Sequence, residues 1–293
     1  MSLGTPPPGR KTIGWGFGGI GLSLALQAVS GILLLLLFRG GGRTAGEVAD
    51  RPGYLAASVL VAGVCGIVAF TLARSSMRWS MPDAGVRRGI GFWASLGIAF
   101  GMLIGFGVVS RAWESLVHPP KDTHVVIRAL EAHPSFGIVA LFALGAGVMA
   151  PISEELLFRG LLYRSLTRIG EPLALLISGV VFGALHVGAV PAKLLPLLGF
   201  LGILLALLYS LTGSIIPSMC LHAFINATSV GQTTGTTDAG KMGWSISTLI
   251  VAWGCIFVLR HRFRDAPLGN EPSPSASALQ ASLERAPWHL PGS

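Results

Sequence analysis

The sequence predicts an all-α protein: one polytopic membrane bundle of about eight transmembrane helices. Three observations predict it. Of 293 residues, 52% are hydrophobic and 12% are charged, roughly half the charged share of a soluble domain. Mean hydropathy is +0.68. The apolar residues are gathered into long runs, each near the roughly 17–25 residues that cross a bilayer as a helix.

Taken in order, the runs are Trp15–Phe38, Tyr54–Ala73, Gly89–Val109, Phe136–Phe158, Pro172–Val190, Leu194–Tyr209, Ser214–Ser229 and Trp244–Leu259. The first is bounded by Lys11 and Arg39, the second by Arg51 and Arg74, and the third by Arg88 and Arg111. The fourth ends on Arg159, the fifth is opened by Pro172, and the eighth is closed by Arg260. The sixth and seventh are short, as tilted spans or helices buried within the bundle are. Ser110–Ser135 is mixed in character and is expected to be an interfacial loop or short helix. The first run is too long for a signal-peptide core, and no small-residue cleavage site follows it, so it is expected to stay as a span.

Residues 1–13 form an N-terminal segment, 14–260 the bundle, with a functional core at 136–229, and 261–293 a tail. That tail is rich in Pro, Ser and Ala and has the composition of a disordered segment. With the N-terminus in the cytoplasm, the inside set includes Arg74, Arg78, Arg87, Arg88, Arg164 and Arg168. The outside set is smaller, although Arg39, Arg43 and Arg51 belong to it. Eight spans then put both termini inside, in a multi-pass protein of the plasma (inner) membrane. The net charge is +8, but the arginines sit in the joints between apolar runs, without interleaved aromatics, so nucleic acid is not an expected partner. Cys65, Cys220 and Cys255 lie in apolar runs without CxxC spacing and are expected to pack rather than ligate.

Every aspartate falls in a loop or tail, and every glutamate except two lies at a span end, in a loop or in the tail. Glu154 and Glu155 stand side by side in "PISEELLFRG" (Pro151 to Gly160). A charge deep in a bilayer costs roughly 2.5–3.5 kcal/mol even on the lenient insertion scale, which makes such residues functional candidates. Glu155 and Arg159 are spaced i, i+4 and can pair along one helix face. Glu154 points about 100° away and is left free. Of the seven histidines, only His186 and His222 lie inside apolar runs; Phe182 precedes His186 by four residues, and Asn226 follows His222 by four.

These groups share a depth. At about 1.5 Å per residue, Glu154 lies ~15 Å in from Arg164, His186 ~21 Å in from Pro172, and His222 and Asn226 ~14 and ~20 Å in from Gly213. One polar layer across three spans has the parts of a hydrolase. A carboxylate and an imidazole can hold and deprotonate water. A second imidazole and a carboxamide can donate to a developing oxyanion. No GxSG-type serine motif stands near the histidines, no HExxH zinc motif occurs, and no paired membrane aspartates are present. Two other readings remain open: a non-catalytic scaffold or immunity protein whose polar layer glues the bundle, and a transporter that uses the layer as an ion site. Inverted repeats would favour the transporter, and none is visible.

"EELLFRG", "FGALH" and "HAFIN" together resemble the three motifs of the CPBP family, the type II CAAX prenyl endopeptidases and their bacteriocin-processing relatives: EExxxR, FxxxH and HxxxN/D. The resemblance runs from Glu154 to Asn226, about a quarter of the chain. It implies a glutamate-dependent intramembrane endopeptidase acting on membrane-anchored proteins or peptides. Glu154 and His186 would activate water, and His222 and Asn226 would form the oxyanion site. Glu155, Arg159 and Phe182 would support the architecture or bind substrate. No cofactor is expected; zinc held by Glu154, His186 and His222 is the alternative. Eukaryotic relatives cut prenylated proteins, and bacterial ones are linked to bacteriocin maturation, immunity and processing of anchored proteins. Gly179, Gly183 and Gly188 thin the fifth run, for helix packing or to admit a substrate segment.

Overall fold

A computed structural model describes residues 12–39, 44–49, 51–118, 135–234 and 237–263. Among them are nine helices. They are α1 (Thr12–Phe38), α2 (Ala45–Ala49), α3 (Pro52–Ser76), α4 (Phe92–Val117), α5 (Phe136–Ile169), α6 (Glu171–Ala184), α7 (Leu195–Thr212), α8 (Ile215–Thr234) and α9 (Asp238–Phe263). The N-terminal segment to Lys11, the tail from Arg264 and residues 119–134 of the mixed stretch lie outside the described residues.

Six of these helices are long and apolar enough to cross a membrane: α1, α3, α4, α5, α7 with its lead-in turn from Ala192, and α9. The chain is a multi-pass, all-α membrane protein. Its apolar side chains face outward as well as inward. No residue of α4 is buried, and Phe100, Ile104 and Val108 point away from the bundle, as do Leu36 and Leu37 of α1 and Ile250 and Val258 of α9. Such helices, apolar all round, suit lipid on one side and protein on the other. The two remaining expected runs are also helices: α6, of 14 residues, and α8, whose serines, threonines, His222 and Asn226 dilute its hydropathy.

Two boundaries and one added helix stand out against the sequence reading. α4 continues to Val117 rather than stopping at Val109, because Ser110 Oγ donates to Glu114 (3.0 Å) and Trp113 Nε1 donates to the Lys193 carbonyl (2.7 Å). α6 stops at Ala184, and the chain turns through 185–190 with Gly188 at φ +85°, a conformation that favours glycine. The short α2 was not foreseen. Thr44 and Glu47 cap its start reciprocally, through Thr44 N to Glu47 Oε2 at 2.7 Å and Glu47 N to Thr44 Oγ1 at 3.3 Å.

α5 is the axle of the bundle. α1, α3, α6, α8 and α9 all pack on it, and every residue from Glu155 to Leu166 is buried. It is not a uniform helix. Ala143–Met149 and Leu156–Tyr163 are wound as π-helix, and Ala150–Glu155 between them is α. π segments are rare and gather at functional positions. At the far end of α5, the 77–91 connection latches onto the α7–α8 junction. Ile90 N donates to the Thr212 carbonyl (2.9 Å), Ile215 N to that of Gly85 (3.0 Å), and Arg87 Nε to that of Gly213 (2.9 Å).

α6 and α7 form a close hairpin. A Cβ on Gly183 would stand 2.8 Å from both the Gly199 nitrogen and the Leu195 carbonyl, and one on Gly179 would stand 2.7 Å from the Gly199 carbonyl. Of the two roles open to the glycines of the fifth run, helix packing is the one Gly179 and Gly183 fill.

Candidate functional site

The site is built where α5, α6 and α8 meet. Glu155 and Arg159 pair as their spacing predicts, Arg159 Nη1 donating to Glu155 Oε1 at 2.9 Å with both side chains at 0% exposure. The same Oε1 accepts from His222 Nδ1 on α8, also at 2.9 Å. A carboxylate can only accept, so Nδ1 carries the proton of this bond and Nε2 points onward. It points at Glu154, whose Oε2 is 3.8 Å away. Arg159 also donates from Nη2 to the Gly202 carbonyl of α7 at 2.8 Å. One buried guanidinium thus ties the glutamate helix to its neighbour and neutralises Glu155, as a charge in this setting requires.

Glu154 is the exception in this shell. Its side chain is 26% exposed, whereas His222 is 4% and Glu155 0%. Its Oε2 is nonetheless buried and has no hydrogen-bond partner among the described residues. One carboxylate oxygen therefore faces His222, while part of the side chain stays open.

Aromatic rings fill the space between the polar groups. Phe182 is fully buried. Its ring lies 5.0 Å from that of Phe158, 4.9 Å from His186 and 5.8 Å from His222 between centroids. The Arg159 guanidinium carbon sits 4.8 Å above it, within cation–π range. His186 is half-buried in the turn after α6, and its Nδ1 donates to the Phe182 carbonyl (2.8 Å). That bond to an obligate acceptor leaves Nε2 as the free lone pair. Asn226, one turn after His222, donates from Nδ2 to the Ala146 carbonyl (2.8 Å), inside the first π segment of α5.

The residues singled out by sequence are therefore brought together, with one different adjacency. Glu154 stands next to His222, and no hydrogen bond or ion pair joins it to His186; the Phe182 ring touches both imidazoles. The Glu155–His222 bond was not foreseen, nor were the Gly202 and Ala146 carbonyls. Backbone acceptors leave no trace in residue type, and a contact between two helices leaves none in spacing. Among the described residues, no three His, Cys, Asp or Glu side chains are grouped so as to hold a metal ion. The cysteines are free, Cys65 buried beside Ser30 and Cys255 exposed.

Residues 136–228 match the family model described as Type II CAAX prenyl endopeptidase Rce1-like. This segment runs from the start of α5 into α8 and contains Glu154, Glu155, Arg159, Phe182, His186, His222 and Asn226. The chain is also similar to the UPF0177 protein YxdF of Lactococcus lactis subsp. lactis (strain IL1403), at 38% identity over 80 residues. That match covers 27% of this chain and 43% of the relative. No solved structure matches significantly. The family match agrees with the resemblance drawn from the three motifs.

Proposed function

From the premise that residues 136–228 form a type II CAAX prenyl endopeptidase-like domain in a multi-pass membrane protein, we propose that the chain is an intramembrane endopeptidase working by carboxylate-activated water. The observation that carries the proposal is the chain Arg159–Glu155–His222–Glu154, in which three members are buried and only the last is partly open. The pairing gives it meaning. Arg159 is paired with Glu155, which leaves Glu154 as the carboxylate without a cation of its own, 3.8 Å from an imidazole nitrogen. A partly open carboxylate beside an imidazole is a pair suited to acid–base hydrolysis.

The roles follow. Glu154 takes a proton from water as the water oxygen bonds to the peptide carbonyl carbon, and returns it to the amine nitrogen as the C–N bond breaks. His186, with Nε2 free, orients the water. His222 in its protonated form and the second N–H of Asn226 donate to the oxyanion. Glu155 and Arg159 position His222, and Phe182 holds both imidazoles apart. The partner is a membrane-anchored protein or peptide. By the arginine pattern, the enzyme sits in the plasma (inner) membrane with both termini cytoplasmic.

Zinc, the alternative, would use Glu154 and the Nε2 atoms of His186 and His222, which the Nδ1 bonds to the Phe182 carbonyl and to Glu155 leave open. We take the metal-free reading because the Phe182 ring packs against both imidazoles and because Asn226 suits an oxyanion better than a metal. The purified full chain, reconstituted with a membrane-anchored fluorescent reporter peptide, is expected to cleave it, and Glu154→Gln to abolish cleavage. Chelator treatment should leave the rate unchanged. A wild-type protein that leaves a panel of anchored reporters intact would refute the peptidase reading. Stoichiometric zinc whose removal and return switch activity off and on would refute the roles given to His186, His222 and Asn226.

A further inference from the structure

α3 and α9 both pack on the 143–149 stretch of α5 without substantial contact with each other. Towards the arginine-bearing end of the bundle, a cavity of about 530 Å³ opens between them, within the roughly 300–1,000 Å³ range of ligand sites. Its walls are apolar: Ile67 and Phe70 of α3, Met81 of the following turn, Ile152 and Leu156 of α5, and Leu259 of α9. Phe70, Ile152 and Leu156 form its buried floor, and Thr71 at the rim is exposed. Ile152 and Leu156 share one face of α5, and Glu154 lies ~200° round the helix from Ile152. The cavity is thus behind the candidate site and separate from it.

One cation lines this apolar space. Arg74 donates from Nη1 to the Trp79 carbonyl, while its buried Nε has no hydrogen-bond partner among the described residues. The neighbouring Ser80 is turned to Asp83 instead: its N and Oγ both donate to Asp83 Oδ2, at 2.8 and 2.7 Å. Arg78 and Arg88 of the connection after α3, and Arg260 and Arg262 at the end of α9, are exposed. The described acids at this end are Asp83, which is buried, and Glu171 at the start of α6. The surroundings therefore favour an anion whose remainder is apolar.

We propose that this cavity is a binding site for one anionic phospholipid, with a tail lying against Ile152 and Leu156 and the phosphate on Arg74. Charge complementarity argues for it: a guanidinium forks onto phosphate oxygens, and basic pockets between membrane helices take anionic headgroups. The mouth lies between two membrane-spanning helices, where lipid is the neighbour with direct access. The site does not depend on the peptidase reading.

The test is lipid retention by the detergent-purified full chain, titrated with phosphatidylglycerol or phosphatidylcholine and counted by native mass spectrometry. One phosphatidylglycerol per chain is expected to survive activation, with phosphatidylcholine held roughly tenfold or more weakly. Arg74→Gln should reduce phosphatidylglycerol to the phosphatidylcholine level. Thr71→Trp, which fills the mouth and keeps Arg74, should do the same and decides the matter if Arg74→Gln does not fold. Arg88→Gln removes an equal charge at the same end and should change nothing. Glycerophosphate, which has no tails, should not displace the lipid. Equal retention of the two lipids, retention in Thr71→Trp, or displacement by glycerophosphate would each overturn the proposal.

Discussion

Replacing Glu155 with glutamine should unfold the protein more readily than replacing Glu154, although both variants should be inactive. Glu155 has no exposed surface, and its Oε1 accepts from Arg159 and from His222, each at 2.9 Å. The amide can keep one of these bonds but not the charge. Arg159 is then a buried cation without its counter-ion, a situation that costs about 3–5 kcal/mol. The retained bond offsets part of this, so about 3 kcal/mol is the expected loss. Glu154 is a quarter exposed and its nearest basic neighbour, His222 Nε2, is 3.8 Å away, so Glu154→Gln should cost about 0–1 kcal/mol. At about 2–4 °C per kcal/mol for a domain of this size, the difference of about 2–3 kcal/mol corresponds to a Tm gap of roughly 4–12 °C. Thiol-reactive dye uptake on heating reads it in a Cys220→Ser, Cys255→Ser background, where Cys65 is the remaining thiol and is buried until unfolding. Arg159→Met on top of Glu155→Gln should recover part of the loss by removing the unpaired cation. Equal stability of the two single variants, or a less stable Glu154→Gln, would refute the division between a positioning and a reacting carboxylate.

Asn226→Ala should lower kcat by roughly 10²–10³-fold, as losing one oxyanion donor does, with KM for the reporter little changed; a fall in Tm without a fall in kcat would make the Ala146 tether its only role. Gly183→Ala should lower the amount of folded protein in membranes, because its methyl would meet backbone atoms at 2.8 Å rather than a yielding side chain; normal yield would show that α6 and α7 can part. A reporter active only in the periplasm, fused after Ser293, should stay silent, and strong activity would invert the orientation.

What the sequence disclosed depended on how far the signal lay along the chain. Each of the eight apolar runs is a helix, because lipid and core both select on hydrophobicity over a whole turn. The i, i+4 pair Glu155–Arg159 was legible because helix geometry alone brings those side chains together. His186 was placed inside a span, yet it stands in the turn after Ala184; the apolar composition of "LHVGAV" concealed a turn marked only by Gly188. The hydrogen bond from His222 to Glu155 joins residues 67 positions apart, and no local pattern encodes it. Depth counting puts Glu154, His186 and His222 in one layer and pairs Glu154 with His186 over a shared water; the imidazole 3.8 Å from Glu154 is that of His222, because depth along separate helices does not fix which faces meet.

The two π segments of α5 have a consequence for how this helix tolerates change. A π turn is an α-helix carrying an extra residue, so it stores length that can be given back. Ala150–Glu155, with both glutamates, is set between two such reserves. The angular setting of the carboxylates toward α8 is therefore uncoupled from that of Phe136–Phe142 and of the buried turns beyond Tyr163. The glutamate turn behaves as an adjustable insert in a fixed shaft. Residue losses or gains can be absorbed on either side of it, at the price of rotating the acids and not of breaking the span.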